Sequence, residues 1–158
     1  IKNMPDAERV EEPPLSYTQG TFAEAARVLF HITGEQSYMD KAAQVLLYGL
    51  ESNRTTSGGL LRSEGENMDQ SIFKAVFIPY AVNYVLDADA DVNSAGRIKE
   101  KLLKNAEALY KHIDRTYYPS MFCNYWWGET VQQGTRVSMG AQASGASLME
   151  NVARMVKK

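Results

Sequence analysis

Ser16-Tyr17-Thr18-Gln19-Gly20-Thr21 is the stretch on which the fold turns. It joins a short polar entry segment to Phe22, Ala25, Ala26, Leu29 and Phe30, whose spacing makes a strongly apolar helical face. Thr21 and Glu24 have capping-box spacing, so a helix is expected from Thr21 to about Ile32. Tyr17 and Gln19 would then stand just outside the helix, able to point at a ligand. Gly20 would allow a close approach of backbone there. Ser16 and Gln19 also have capping-box spacing, so the stretch reads as a plain cap as well.

Upstream, residues 1–15 are polar and end in Glu11-Glu12-Pro13-Pro14-Leu15, a linker or extended arm. Downstream, Gly34 is placed to end helix one as a C-cap residue. Ser37 with Asp40 caps helix two, expected from about Tyr38 to Ser52, with Tyr38, Ala42, Val45, Leu46 and Gly49 on one face. The short link makes this pair antiparallel.

Residues 53–69 have no apolar period and carry turn signals at Ser57-Gly58-Gly59 and Glu64-Gly65-Glu66. A connection this long is either functional or a solvated loop, and it holds Arg62, Glu64, Glu66 and Asp69. Helix three follows, about Gln70 to Leu86. It is apolar nearly all round and therefore an inner helix. Pro79 inside it should kink the helix or leave a carbonyl unpaired near Ala75. Lys74 on this apolar helix needs a partner or a wet cavity, with Asp69 and Glu64 as candidates. The alternative is a lysine that snorkels to solvent past Phe73.

Asp87-Ala88-Asp89-Ala90-Asp91 is an acidic connection lacking the glycine and distal glutamate of a calcium loop. Helix four, about Ser94 to Arg115, has one apolar stripe and is an outer helix. Residues 116–139 form a second long loop holding Tyr117, Tyr118, Phe122, Tyr125, Trp126 and Trp127. Such rings either stack on sugar C–H faces or fill gaps between helices. Helix five is expected from about Gly140 to Val156.

The chain of 158 residues is 44% hydrophobic with a net charge of −2, which suits a globular protein and gives no reason to expect nucleic acid. No apolar run reaches the ~20 residues of a membrane span. Cys123 is alone and reads as a buried small hydrophobe. His31 and His112 have no ligand-spaced partners and fall near expected helix C-termini. Neither a metal site nor a cofactor fingerprint is visible, and no catalytic residue is assigned.

Inner apolar helices alternate with outer amphipathic ones, and long loops recur where the inner helices begin. That is an all-α pattern, an incomplete (α/α)6 toroid of about two and a half antiparallel helix pairs. Helices one, three and five should expose apolar faces, with Phe30, Phe77 and Leu148 waiting for a neighbour. The cover would be a missing N-terminal half or a dimer mate.

Several segments, in order, resemble the second half of glycoside hydrolase family 76, the endo-α-1,6-mannanase family. Tyr17-Thr18-Gln19-Gly20 stands where the family has Tyr-Asn-Gln-Gly. Thr33-Gly34, Tyr38 and Ala42-Ala43 match its Thr-Gly…Tyr…Ala helical pair. Phe73-Lys74-Ala75-Val76-Phe77 stands for Phe-Lys-Gly-Ile-Phe, and Gln142-Ala143-Ser144 for Gln-Ala-Ser. Thr18 and Ala75 depart from the family's Asn and Gly. The family's adjacent Asp-Asp pair, which lies in its first half, occurs nowhere in this chain.

The resemblance implies a fragment of a glycoside hydrolase acting on α-mannan, residues 16–158 being the C-terminal half of the domain. It would contribute sugar-binding residues without the catalytic pair. The substrate-binding set it implies is Tyr17, Gln19, Gly20, Asp69, Phe73, Lys74, Trp126 and Trp127. The partner would be α-mannan or a mannooligosaccharide, and the setting extracytoplasmic. The alternative is a non-catalytic helical module for carbohydrate or protein binding. A third reading is another α/α-toroid carbohydrate enzyme. An epimerase among these needs histidine bases, and both histidines are expected away from the loop side.

Overall fold

In the computed structural model, residues 14–157 are described; residues 1–13 of the expected arm lie outside them. Helix α1 (Ser16–Thr33) begins at Ser16, not at Thr21. The Thr21 hydroxyl bonds back to the Tyr17 carbonyl one turn earlier, so it serves no cap. Leu15 holds the N-cap position without a side-chain bond. The cap comes instead from Glu64, whose carboxylate accepts from the Ser16 N–H at 2.6 Å and from the Ser16 hydroxyl. Tyr17, Gln19 and Gly20 therefore sit in the first helical turns. Gly34, in the left-handed conformation at φ 73°, ends α1 by donating to the Phe30 carbonyl at 2.7 Å.

Helix α2 (Gln36–Glu51) starts behind Glu35, and the expected Ser37–Asp40 cap is not made. Residues 53–69 are not wholly irregular. They contain a small antiparallel hairpin of β1 (Thr56–Ser57) and β2 (Leu60–Leu61), too short to leave a period in the sequence. Gly58 and Gly59 turn it with φ of 59° and 77°. Leu60 and Leu61 are buried, and the side-chain carbonyl of buried Asn105 accepts the Leu61 N–H at 2.9 Å.

Helix α3 (Met68–Leu86) is capped by Asn67, α4 (Val92–His112) by Asp91 and α5 (Met139–Val156) by Ser138, each through a side-chain bond to a first-turn N–H. The five helices lie in two layers. Parallel α1, α3 and α5 form the inner layer with α3 in the middle, and α2 and α4 run antiparallel behind them. The inner helices approach through glycine. A Cβ on Gly20 would lie 2.7 Å from the Phe77 Cα, and one on Gly140 would lie 2.8 Å from the Met68 carbonyl. The backbone that Gly20 admits is thus that of α3.

Pro79 has no N–H to donate to Ala75, as the sequence requires. The Ser147 hydroxyl of α5 fills that place, donating to the Ala75 carbonyl at 3.1 Å. Beside it the Ser144 hydroxyl donates to the Ser71 carbonyl at 2.7 Å.

The expected exposure of helices one, three and five is corrected at the centre and kept at the edges. Phe77 and Leu148 are fully buried by the chain's own atoms, because α3 is flanked by α1 on one side and α5 on the other. Phe30 is only partly buried. On α1, Phe22 is 51% exposed, Leu29 40% and Ile32 73%, a stripe at helical spacing with no cover. No helix among the described residues is long and apolar enough to cross a membrane.

Candidate functional site

Parallel packing of α1, α3 and α5 brings their three N-termini to one end of the arc. The segments 52–67 and 113–138 gather at that same end. Among the described residues, only short turns occupy the other.

At the loop end Lys74 is 3% exposed. Its ammonium donates to the Tyr125 carbonyl at 2.6 Å and lies 3.9 Å from the centre of the Trp127 ring. Burial pushes Lys74 down to about 8, against the opposing pull of the Glu64 charge. Of the two carboxylates expected near it, Glu64 is the electrostatic neighbour, while Asp69 is exposed in the first turn of α3. The lysine does not snorkel to solvent.

Ser16, Gln19, Thr55, Glu64 and Lys74 line a small, partly open cavity of about 10 Å³, about the least that one water molecule needs. The Gln19 side-chain oxygen is buried and has no hydrogen-bond partner among the described residues. In front of this layer the rings of Tyr17 and Phe73 meet at 4.4 Å with a 43° tilt, both half-buried. Trp126 is half-buried, and Trp127 lies in the core at 1% exposure. The sequence-derived set is thereby split. Tyr17, Phe73, Asp69 and Trp126 reach the surface of the loop end; Gln19, Gly20, Lys74 and Trp127 lie behind it.

His112 is corrected. It does stand at a helix C-terminus, but α4 runs antiparallel to the inner helices, so that terminus is on the loop side. Its Nδ1 lies 3.1 Å from the Trp127 carbonyl oxygen. His31 stays at the far end, with its Nε2 2.7 Å from Asp87. Sequence reasoning also missed what holds the aromatic loop. Gln142 of α5 both accepts from the Cys123 N–H at 2.9 Å and donates to its carbonyl at 3.0 Å. The Tyr125 hydroxyl accepts from the Ser138 N–H at 2.9 Å. Cys123 is buried as expected, and burial pushes its thiol up, away from nucleophilic use.

His31, Asp87 and Asp89 bring three possible ligand atoms within 4.8 Å of one another at the far end. One Asp87 carboxylate oxygen already accepts from Arg27 at 2.7 Å and lies 2.7 Å from the His31 Nε2, so a guanidinium already meets its charge.

The family model described as glycosyl hydrolase family 76 matches residues 2–158. The chain belongs to glycosyl hydrolase family 76. The GH76A α-1,6-mannanase from Salegentibacter sp. HEL1_6 superposes with a TM-score of 0.81 at 29% identity, over 89% of this chain and 40% of that one. An inactive variant of that mannanase, with two neighbouring aspartates replaced and α-1,6-mannotetrose bound, superposes with a TM-score of 0.82, over 96% and 44%. The Lin0763 protein from Listeria innocua, at 21% identity and a TM-score of 0.80, shares the fold. No curated protein matches in sequence. The chain thus spans about 40% of the length of the solved structures it matches. As a family 76 fold it is an incomplete α/α toroid, a mostly helical arc in which inner α1, α3 and α5 alternate with outer α2 and α4.

Proposed function

We propose that the chain is the sugar-binding portion of a glycoside hydrolase acting on α-1,6-mannosidic bonds, without the catalytic carboxylate pair. The observation that carries this reading is the 29% identity to an α-1,6-mannanase over 89% of the chain. That mannanase is inactive when two neighbouring aspartates are replaced, and this chain has no two adjacent aspartates.

Retaining glycoside hydrolysis needs a nucleophile and an acid/base on opposite sides of the anomeric carbon, and no cofactor. In this reading both carboxylates come from the part of the domain not in this chain. Tyr17, Phe73 and Trp126 offer rings to sugar C–H faces, and Asp69 accepts from hydroxyls. Gln19, Gly20, Lys74 and Trp127 shape the wall behind them. The exposed stripe of α1 is covered by the rest of the domain, the alternative cover being a dimer mate. The same reading puts the protein outside the cytoplasm, where a polymeric mannan is met.

The test is release of reducing ends from α-1,6-mannan, with α-1,6-mannotetrose titrated against the same chain. No hydrolysis, with sugar binding weakened by Phe73→Ala or Trp126→Ala, is the expected result. Hydrolysis by the chain alone would refute the reading.

The sealed core at Phe77 and Leu148 favours a second reading, a self-contained helical binding module without catalysis. A monomeric chain unfolding in one cooperative step supports it. Dimerisation or aggregation relieved by Ile32→Glu supports the incomplete domain.

A further inference from the structure

Lys74 sits among the residues that family resemblance assigns to sugar, yet its ammonium is turned inward. It is 3% exposed, and its two close partners both belong to the aromatic loop: the Tyr125 carbonyl at 2.6 Å and the Trp127 ring at 3.9 Å. Glu64, the nearest carboxylate in its electrostatics, is fully engaged by the N-terminus of α1.

Around Lys74 the loop has separate moorings. Gln142 holds Cys123 to α5, and His112 holds the Trp127 carbonyl to the end of α4. From α3, the middle helix of the arc, Lys74 is the side chain bonded to the segment between those two. A neutral side chain of the same length would leave the Tyr125 carbonyl without its donor and the Trp127 face without its cation.

We propose that Lys74 is a positioning residue, a charged clamp that fixes the Tyr125–Trp127 segment across the loop end of α3, and that it does not itself contact sugar. It sets the wall from which Trp126 is presented. The clamp is a statement about this chain's own contacts; only its effect on sugar rests on the reading of the loop end as mannan-facing.

Both tryptophans of the chain lie in the clamped segment, so intrinsic fluorescence reads it directly. Lys74→Met is compared with Lys74→Arg, which keeps a cation able to stack and donate. For Lys74→Met the expected result is red-shifted tryptophan emission, with amide exchange about tenfold faster at 124–128, the loss of one charge-assisted hydrogen bond. Exchange at Cys123, moored by Gln142, stays as in the parent chain. Lys74→Arg recovers most of the parent emission.

If Lys74→Met does not fold, Lys74→Leu is read the same way, since it too removes both the charge and the donor. Unchanged emission and exchange in the folded neutral variant would overturn the clamp. Equal loosening in Lys74→Arg would also overturn it, because packing and not charge would then be at work. α-1,6-Mannotetrose titration is run alongside. If the parent chain binds none, the mannan reading fails while the fluorescence arm still decides the clamp. If the parent binds, affinity falls with Lys74→Met and returns with Lys74→Arg.

Discussion

The Ser147 hydroxyl donates to the Ala75 carbonyl at 3.1 Å, and Ala75 is the residue whose helical partner would have been the missing N–H of Pro79. A defect in α3 is thus repaired from α5. An unpaired half-buried carbonyl costs about 1–3 kcal/mol.

Ser147→Ala is therefore expected to destabilise the fold by about 1–2 kcal/mol. Pro79→Ala restores an N–H to α3, so Ser147→Ala should cost less in that background. Urea unfolding of the four chains of the double-mutant cycle checks this. Equal losses in both backgrounds would show that the bond is incidental.

Gly20→Ala places a Cβ 2.7 Å from the Phe77 Cα, backbone against backbone, with no flexible side chain to give way. The expected loss is about 1–3 kcal/mol, the range of overpacked core sites. Gly96 in α4 meets nothing within 4 Å of an added Cβ, so Gly96→Ala should stabilise by about 0.5–1 kcal/mol. Thermal melts of both variants read the contrast in opposite directions.

Lys74 gives a signed pH dependence. Burial lowers it to about 8 in the folded chain from an ordinary value near 10.5. Between those values the unfolded chain holds more protons, so this group's contribution to stability rises with pH and is level below about 8. The parent-minus-Lys74→Met difference in unfolding free energy should climb by about 3 kcal/mol across that window. The neighbouring Cys123 thiol is pushed up by burial and partly drawn back by the Lys74 charge, so both chains are compared in a Cys123→Ala background. A flat difference curve would contradict the burial of a charged Lys74.

At the far end the sign reverses. Burial raises the Asp87 carboxyl, but hydrogen bonds from His31 and Arg27 outweigh it and hold the group below its ordinary value. The stability it supplies is present above about pH 4 and is lost as pH falls through the depressed value. Asp87→Asn is expected to cost about 1–2 kcal/mol near neutrality. It should converge with the parent chain in acid, which unfolding curves at stepped pH would show.

Much of this was legible along the chain. All five helices, their alternation of inner and outer character, the stop at Gly34 and the vacancy made by Pro79 follow from spacing and from single-residue stereochemistry. The hairpin did not, because two-residue strands have no period to read. Helix α1 begins five residues earlier than its capping box suggests, since its cap is a carboxylate 48 residues away. The site was legible only as a set. That Tyr17 and Phe73 stack outward while Lys74 and Trp127 turn inward depends on which face of α3 meets which loop.

The sequence by itself determined the five helices, because helical period, proline and glycine act on neighbours within a turn or two, and its motifs carried the resemblance to the family. Only the tertiary structure decided who serves whom: Glu64 as the cap of α1, Ser147 as the partner of Ala75, Lys74 as the mooring of the aromatic loop. Those pairings join residues 48 to 72 positions apart, and one-dimensional spacing carries no record of a contact made through space.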